Sequence, residues 1–222
     1  MKNIIDGQFK HIIFDFDGTL VDSGEIAFKA INSMADKFGF RKIDWEDVDR
    51  MRTMSVNERC SYMGVSLIKL PFFAADYYAY YKSHMGDLMM YPGMEDLLCR
   101  LHDEGFNLNV ISSNEESNIR DYLKKKELDV FNEIICSKHL FQKDRIINKF
   151  IKKHGFDHRD ILYVGDELRD VEACKRAGIK VIWVDWGLDL FETIEPAFPD
   201  FMVSKPSEIY EIIQKGWNSD EN

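Results

Sequence analysis

The run His11-Ile12-Ile13-Phe14-Asp15-Phe16-Asp17-Gly18-Thr19-Leu20 constrains this chain more than any other segment. Ile12, Ile13 and Phe14 have the bulk and β-propensity of a strand buried on both faces. Phe16 extends the run, so the strand is predicted over residues 12–16. Gly18-Thr19 supplies a turn off its carboxyl end. The strand thus delivers two carboxylates, Asp15 and Asp17, into one small space. Two such charges repel strongly at a buried strand end unless a cation lies between them. Magnesium, a hard cation that takes oxygen ligands, is the ordinary solution. The pair predicts a metal-assisted reaction on an anionic substrate.

At 222 residues the chain has room for one large α/β domain, or for one domain carrying a smaller insert. A hydrophobic content of 45% beside 31% charged residues suits a globular enzyme. The net charge of -10 argues against a nucleic-acid partner or an anionic membrane surface. It leaves room for a phosphorylated substrate, because a local metal and lysine outweigh the global sign. Cys60, Cys99, Cys136 and Cys174 form no CxxC pair and read as thiols in a reducing compartment. The segment before Asp6 has no long apolar stretch, and nothing approaches the roughly 20 apolar residues of a membrane span. The expected location is the cytoplasm.

After the first strand, residues 23–38 carry an apolar stripe of Ala27, Ala30, Ile31, Met34 and Phe38 and read as a helix. Asp22 or Ser23 is its expected cap and Gly39 its expected stop. Further helical segments are predicted over 45–51, 56–63 and 69–81, with Pro71 in a first turn. The rhythm changes at Tyr91-Pro92-Gly93. From there helices are predicted over 94–102, 116–125, 144–154, 168–177 and 206–215. Strands are predicted over 108–111, 133–136, 161–164, 179–184 and near 201–202. Repeated strand–helix units imply a Rossmann-like parallel sheet with helices on both faces. The helical block interrupts them, so the chain divides into an α/β core, residues 1–21 and 92–222, and an inserted helical cap, residues 22–91. The insert carries balanced charge and many aromatic residues, among them Phe72, Phe73, Tyr77, Tyr78, Tyr80 and Tyr81. These are expected to fill its own core and its seam with the larger domain, with one or two lining a pocket. The tail, Trp217 to Asn222, is expected to fray.

In open parallel sheets, ligands gather beyond the carboxyl ends of the strands. The first strand delivers Asp15 and Asp17 there. The strand over 108–111 delivers Ser112, with Ser113 and Asn114 beyond it. The strand over 161–164 delivers Asp166, with Glu167 and Asp170 in the following turn. Lys143, at the start of a helix, can point its amine to the same rim.

This arrangement resembles the haloacid dehalogenase superfamily, specifically its magnesium-dependent phosphatases with a helical cap. Asp15-Phe16-Asp17-Gly18-Thr19 matches the DxDGT motif, Ser112 the hydroxyl motif, Lys143 the lysine motif, and Gly165-Asp166-Glu167-Leu168-Arg169-Asp170 the GDxxxD motif. The resemblance implies Asp15 as nucleophile, forming an aspartyl-phosphate, and Asp17 as acid and base. Asp15, Asp166 and the backbone carbonyl of Asp17 are the implied magnesium ligands. Asp170 would hold the metal's waters or Lys143, and Glu167 would assist. Ser112 would donate to a phosphoryl oxygen and Lys143 would neutralise charge. Backbone N–H groups of Gly18, Thr19 and Ser113 would hold the remaining phosphate oxygens. Lys138 competes with Lys143 for the lysine role.

A cap of this kind limits the substrate to a small phosphorylated metabolite and excludes bulk water. Arg50, Arg52 and Lys82 are candidate cap contacts, and Glu25 a residue near the cleft. The expected reaction is magnesium-dependent phosphomonoester hydrolysis. The alternative is a phosphosugar mutase of the β-phosphoglucomutase type, which retains the phosphoryl group on the enzyme for transfer. The six histidines form no metal-binding spacing.

Overall fold

A computed structural model describes residues 9–137 and 142–216. Lys138, His139 and the tail from Trp217 lie outside those residues. Six parallel strands form the central sheet: β1 (His11–Phe14), β4 (Asn107–Ser112), β5 (Glu133–Cys136), β6 (Ile161–Gly165), β7 (Lys180–Val184) and β8 (Phe201–Val203). Their order is β5-β4-β1-β6-β7-β8. β1 is central, pairing Phe14 with Val110 on one side and with Val164 on the other. The chain runs outward from β1 to β5, then resumes at β6 on the opposite flank. β1 is therefore the switch point, where a crevice opens beyond the strand ends.

The strand period of two sorts the core. Ile12, Phe14, Leu108, Val110, Leu162 and Val164 pack into one apolar layer, with α5 (Met94–Asp103), α6 (Glu116–Lys125) and α10 (Pro206–Lys215). Ile13, Ile111, Ile161, Tyr163 and Val181 enter the other, with α7 (Lys143–His154) and α8 (Leu168–Ala177). Helices thus cover both faces of the sheet, as the strand–helix rhythm requires.

Beside this core stand α1 (Gly24–Phe38), α2 (Trp45–Arg52), α3 (Val56–Met63) and α4 (Leu70–His84). They enclose a third apolar cluster of Met34, Ile43, Met51, Cys60, Met63, Val65 and Phe73. These are the cap helices. Gly39 ends α1 in the left-handed conformation, as expected, while Ser23 makes no side-chain cap bond to that helix. Ser55 and Glu58 close α3 with a reciprocal capping box. The stem is a pair of two-residue antiparallel strands, β2 (Val21–Asp22) and β3 (Met89–Met90). They tie the two crossings between cap and core together.

Three differences from the sequence expectation have local causes. β1 stops at Phe14, because the Phe16 N–H turns to the side chain of Asp15 (2.7 Å) and Leu20 N–H bonds back to Phe16 O (2.9 Å). The stem strands are too short to show alternation. α9 (Phe191–Ile194) is a single turn that periodicity does not reveal. All four cysteines are free, Cys60 and Cys174 buried and the other two partly exposed. Among the described residues no helix is long and apolar enough to cross a membrane.

Candidate active site

Three neighbouring strands, β4, β1 and β6, bring their carboxyl-end residues into one buried cluster. Asp15 follows β1, and its backbone N–H continues the ladder to Val164 O (2.9 Å). Lys143 opens α7 and is buried. Its ammonium donates to Asp15 Oδ2 at 2.7 Å and to Asp170 Oδ1. Burial alone would lower its pKa, but Asp15 and Asp170 outweigh that and raise it. The lysine is therefore a fixed cation.

Asp15, Asp166 and Asp170 each offer a carboxylate oxygen within 4.8 Å of the others. Thr19 Oγ1 donates to Asp166 Oδ1, and the Leu188 N–H to Asp166 Oδ2, both at 2.7 Å. Burial, then Glu167, Asp170 and Asp15, push the Asp166 carboxyl well above its usual range. Burial likewise pushes Asp170 up to about 6, against the pull of Lys143. These are carboxylates assembled at a cost that a divalent cation removes. The backbone is shaped to admit them. A Cβ on Gly18, whose φ is +74°, would meet Asp166 Oδ2 at 2.2 Å. One on Gly187 would meet Asp166 Cβ at 2.1 Å, and one on Gly165 Asp170 Oδ2 at 2.6 Å. The donor set and the glycine cradle fit a hard divalent cation.

Asp17 is turned away from that cluster. Tyr81 of α4 donates to its Oδ1 at 2.6 Å, and Asn114 Nδ2 donates to its Oδ2 at 2.8 Å. Asn114 Oδ1 in turn accepts from Asn118 on α6. Burial raises the Asp17 pKa; the Tyr81 bond opposes this, and the Asp15 charge adds to it. Ser112 Oγ accepts from the Asn114 N–H at 3.2 Å. The Ser113 carbonyl accepts from the Tyr78 hydroxyl of α4, and Ser113 Oγ accepts from Arg169 Nη2 at 3.2 Å.

Glu167 is buried, and both its oxygens accept from Arg169 at 2.6 Å. Arg169 outweighs burial and holds its pKa down to about 2. Glu167, expected to assist the metal, forms an ion pair with Arg169.

Of the expected cap contacts, Arg52 reaches the core. It donates to the Gly187 carbonyl (2.8 Å) and the Leu188 carbonyl (3.1 Å). Arg50 lies over the Tyr62 ring, Glu25 pairs with Lys29, and Lys82 lines a surface recess with Asp121, Lys124 and Lys125. His84 stacks on Tyr80. Sequence reasoning missed Arg59, whose guanidinium pairs with buried Asp189 while Asp189 Oδ2 accepts from the Leu168 N–H at 2.7 Å. It also missed Gly187 as part of the cradle. A turn after a strand, Trp186-Gly187-Leu188-Asp189, was the available signal. The aromatic set divides: Phe73 fills the cap core, Phe72 is exposed, and Tyr78 and Tyr81 reach the site.

The cap helices, the switch-point crevice and this carboxylate–lysine cluster define one class, and residues 12–184 match the haloacid dehalogenase-like hydrolase family. The chain belongs to that family and is an enzyme of it, a hydrolase working through an aspartate cluster. Within it, the chain falls in the phosphatase branch. It is 31% identical to the phosphoglycolate phosphatase of Synechococcus elongatus, over 91% of this chain and 96% of that one. It is 24% identical to the pyrophosphatase PpaX of Bacillus pumilus, over 91% and 95%. The fold matches that of a "predicted phosphatase" from Clostridium acetobutylicum with a TM-score of 0.81, at 24% identity over 94% of this chain and 99% of that one.

Proposed function

We propose that this protein hydrolyses small phosphomonoesters with Mg2+ through a phosphoryl-aspartate on Asp15. One observation carries the reading: two carboxylates two residues apart stand in opposite environments. Asp15 accepts from a lysine ammonium, while burial drives Asp17 toward its protonated form. That division is what a nucleophile beside a general acid requires.

In the first half, an Asp15 oxygen forms a bond to phosphorus as the bond from phosphorus to the ester oxygen breaks. Asp17 passes its proton to the departing alkoxide oxygen. In the second half, a water oxygen bonds to phosphorus while Asp17 takes its proton. The Asp15–phosphorus link breaks, releasing inorganic phosphate and restoring both carboxyls. Lys143 balances charge on Asp15, and the Ser112 hydroxyl donates to a phosphoryl oxygen. The N–H groups of Thr19 and Ser113 hold the others; that of Gly18, expected to join them, is already donated to the Val21 carbonyl at 2.9 Å. Tyr81 and Asn114 hold Asp17 between cap and core.

The side chains of Asp15 and Asp166, with the Asp17 carbonyl, would hold the Mg2+, and Asp170, which lies within reach of the same point and accepts from Lys143, would hold its waters or that lysine. When bound, it neutralises the carboxylates and polarises the phosphoryl oxygens. Residues 22–91 act as the cap over a core of 1–21 and 92–222, limiting the substrate to a small metabolite. Phosphoglycolate, sugar phosphates and nucleoside monophosphates are the candidates.

The test is release of inorganic phosphate from p-nitrophenyl phosphate, with Mg2+ and with a chelator. Release is expected only with Mg2+, and Asp15→Asn should abolish it while leaving the melting curve cooperative. Full activity in that variant would reject the covalent route. A long-lived phosphoryl-enzyme with transfer between sugar hydroxyls would indicate the mutase.

A further inference from the structure

A single peptide group joins the cap to the acidic cluster. It lies between Gly187 and Leu188, in the turn after β7. On one side its carbonyl, that of Gly187, accepts from Arg52 Nη2 at 2.8 Å. On the other its N–H, that of Leu188, donates to Asp166 Oδ2 at 2.7 Å. The described residues contain no cis peptide bond, so these two groups point in opposite directions from one rigid plane. Arg52 ends α2 of the cap, and Asp166 follows β6 of the core. A shift of the guanidinium is therefore passed through that plane to the carboxylate.

The turn is held firmly enough to pass it on. Arg52 Nε also donates to the Leu188 carbonyl at 3.1 Å. The Arg52 carbonyl accepts from the Leu190 N–H at 3.1 Å and from the Thr193 hydroxyl at 3.2 Å. Arg59 of α3 grips the same turn through Asp189, whose other oxygen accepts from the Leu168 N–H at the start of α8. Beneath the turn there is no slack, since a Cβ on Gly187 would meet the Cβ of Asp166. At the far end, Thr19 holds the second oxygen of Asp166. Donors on both oxygens set the carboxylate's rotation and leave each a lone pair for a cation. A guanidinium on the carbonyl also polarises the peptide and strengthens the N–H opposite. A seam that only held the cap down would have no need to end on this carboxylate.

We propose that Arg52 is a positioning residue for the metal: from the cap it sets the Gly187–Leu188 peptide that orients Asp166, so that cap docking and divalent-ion binding strengthen each other. The proposal rests on the reading that a divalent cation binds Asp15 and Asp166. The coupling is reciprocal, because whatever the docked cap adds to ion affinity the ion adds to cap docking.

Calorimetric titration with MgCl2, without substrate, compares wild type with Arg52→Met, Arg52→Lys, Lys42→Met and Asp166→Asn. Arg52→Met should weaken Mg2+ binding by about tenfold, the lower end of what the outer partners of metal ligands contribute. The direction is diagnostic. Loss of a positive charge near a cation site would by itself tighten binding, whereas loss of positioning weakens it. Arg52→Lys keeps the charge without the planar fork and should fall between the two. Lys42→Met removes an exposed cap cation that pairs with Asp36, and should bind Mg2+ as wild type does. Hydrogen exchange gives the reciprocal readout: the Leu190 amide should exchange more slowly with saturating Mg2+ than with chelator, and this difference should vanish in Arg52→Met. Thermal melts verify folding, and the lysine variant decides if the methionine variant does not fold. Mg2+ affinity at or above the wild-type value in the deciding variant overturns the proposal, as does an equal loss in Lys42→Met or a Leu190 rate indifferent to Mg2+ in wild type. Binding that Asp166→Asn abolishes leaves the metal reading standing in each of those cases. A wild type that takes up no Mg2+, or an Asp166→Asn variant that binds it undiminished, removes the metal reading and the proposal together.

Discussion

Asp17 shows how much one residue's surroundings decide. Its carboxylate accepts from two neutral donors, Tyr81 on the cap and Asn114 on the core, and burial still leaves its pKa raised. Asp17→Asn keeps the shape and removes the proton. We expect kcat to fall by about 10² to 10⁴, the usual share of general acid–base catalysis. Intact-protein mass spectrometry after a quench should show a phosphoryl adduct that decays slowly, because the second half-reaction lacks its base. Unchanged steady-state hydrolysis would reject the role. The meeting of Asp15 and Asp166 was legible in the chain, because each follows an apolar strand at its carboxyl end, whereas the turning of Asp17 toward Tyr81 and Asn114 was not. Tyr81 was not legible in the same way. A tyrosine at helical spacing among other aromatics reads as core, and Tyr81 is core by burial, yet its hydroxyl is the part that matters.

At the scale of elements, strand and helix placement followed from periodicity almost throughout the core. The stem strands and α9 did not, because two to four residues hold no period to detect. Nor could the seam between cap and core be read, since its partners are far apart in sequence. Arg59 on α3 and Asp189 after β7 are separated by 130 positions, and nothing local in either segment announces the other. Both are buried, so removing one partner leaves a charge without compensation. Arg59→Met should therefore cost about 3 kcal/mol of unfolding free energy, measured by urea titration. Arg59→Met with Asp189→Leu should recover part of that loss. Recovery will be incomplete because the Leu168 N–H also loses its acceptor. If the single variant is as stable as wild type, the pair contributes nothing to holding the cap. The same loop supplies Gly187, where a Cβ would collide with the Cβ of Asp166 rather than with a flexible chain end. Gly187→Ala should displace the loop, cost about 1–3 kcal/mol of stability, and lower activity at least tenfold. Wild-type turnover in that variant would show that the cradle tolerates widening.

The whole molecule carries a standing electrostatic penalty at its switch point, and the sign of that penalty predicts how stability depends on pH and metal. Asp166 and Asp170 both have carboxyls raised by burial and by neighbouring acidic groups, Asp170 to about 6. A raised carboxyl binds its proton more tightly folded than unfolded, so its opposition to folding grows as pH rises above the unfolded value and is complete above the folded one. That opposition is relieved as pH falls through about 6 toward the ordinary range of an aspartate. Glu167 behaves in the opposite sense. Its carboxyl is held down to about 2, so its contribution is present at neutral pH and is lost only as pH falls below the unfolded value toward 2. Metal-free protein should therefore gain stability from these groups between about pH 7 and pH 5, and lose it in stronger acid. A divalent cation reverses the first trend, because it binds the ionised cluster and competes with protons for it. Scanning calorimetry at pH 7.5 and pH 5, with millimolar Mg2+ or with chelator, should show a rise in Tm of several degrees at the higher pH and a much smaller one at the lower. Asp166→Asn should abolish the shift at both. An equal Mg2+ effect at the two pH values, or one that survives in the variant, would mean that the ion stabilises the protein somewhere other than among Asp15, Asp166 and Asp170.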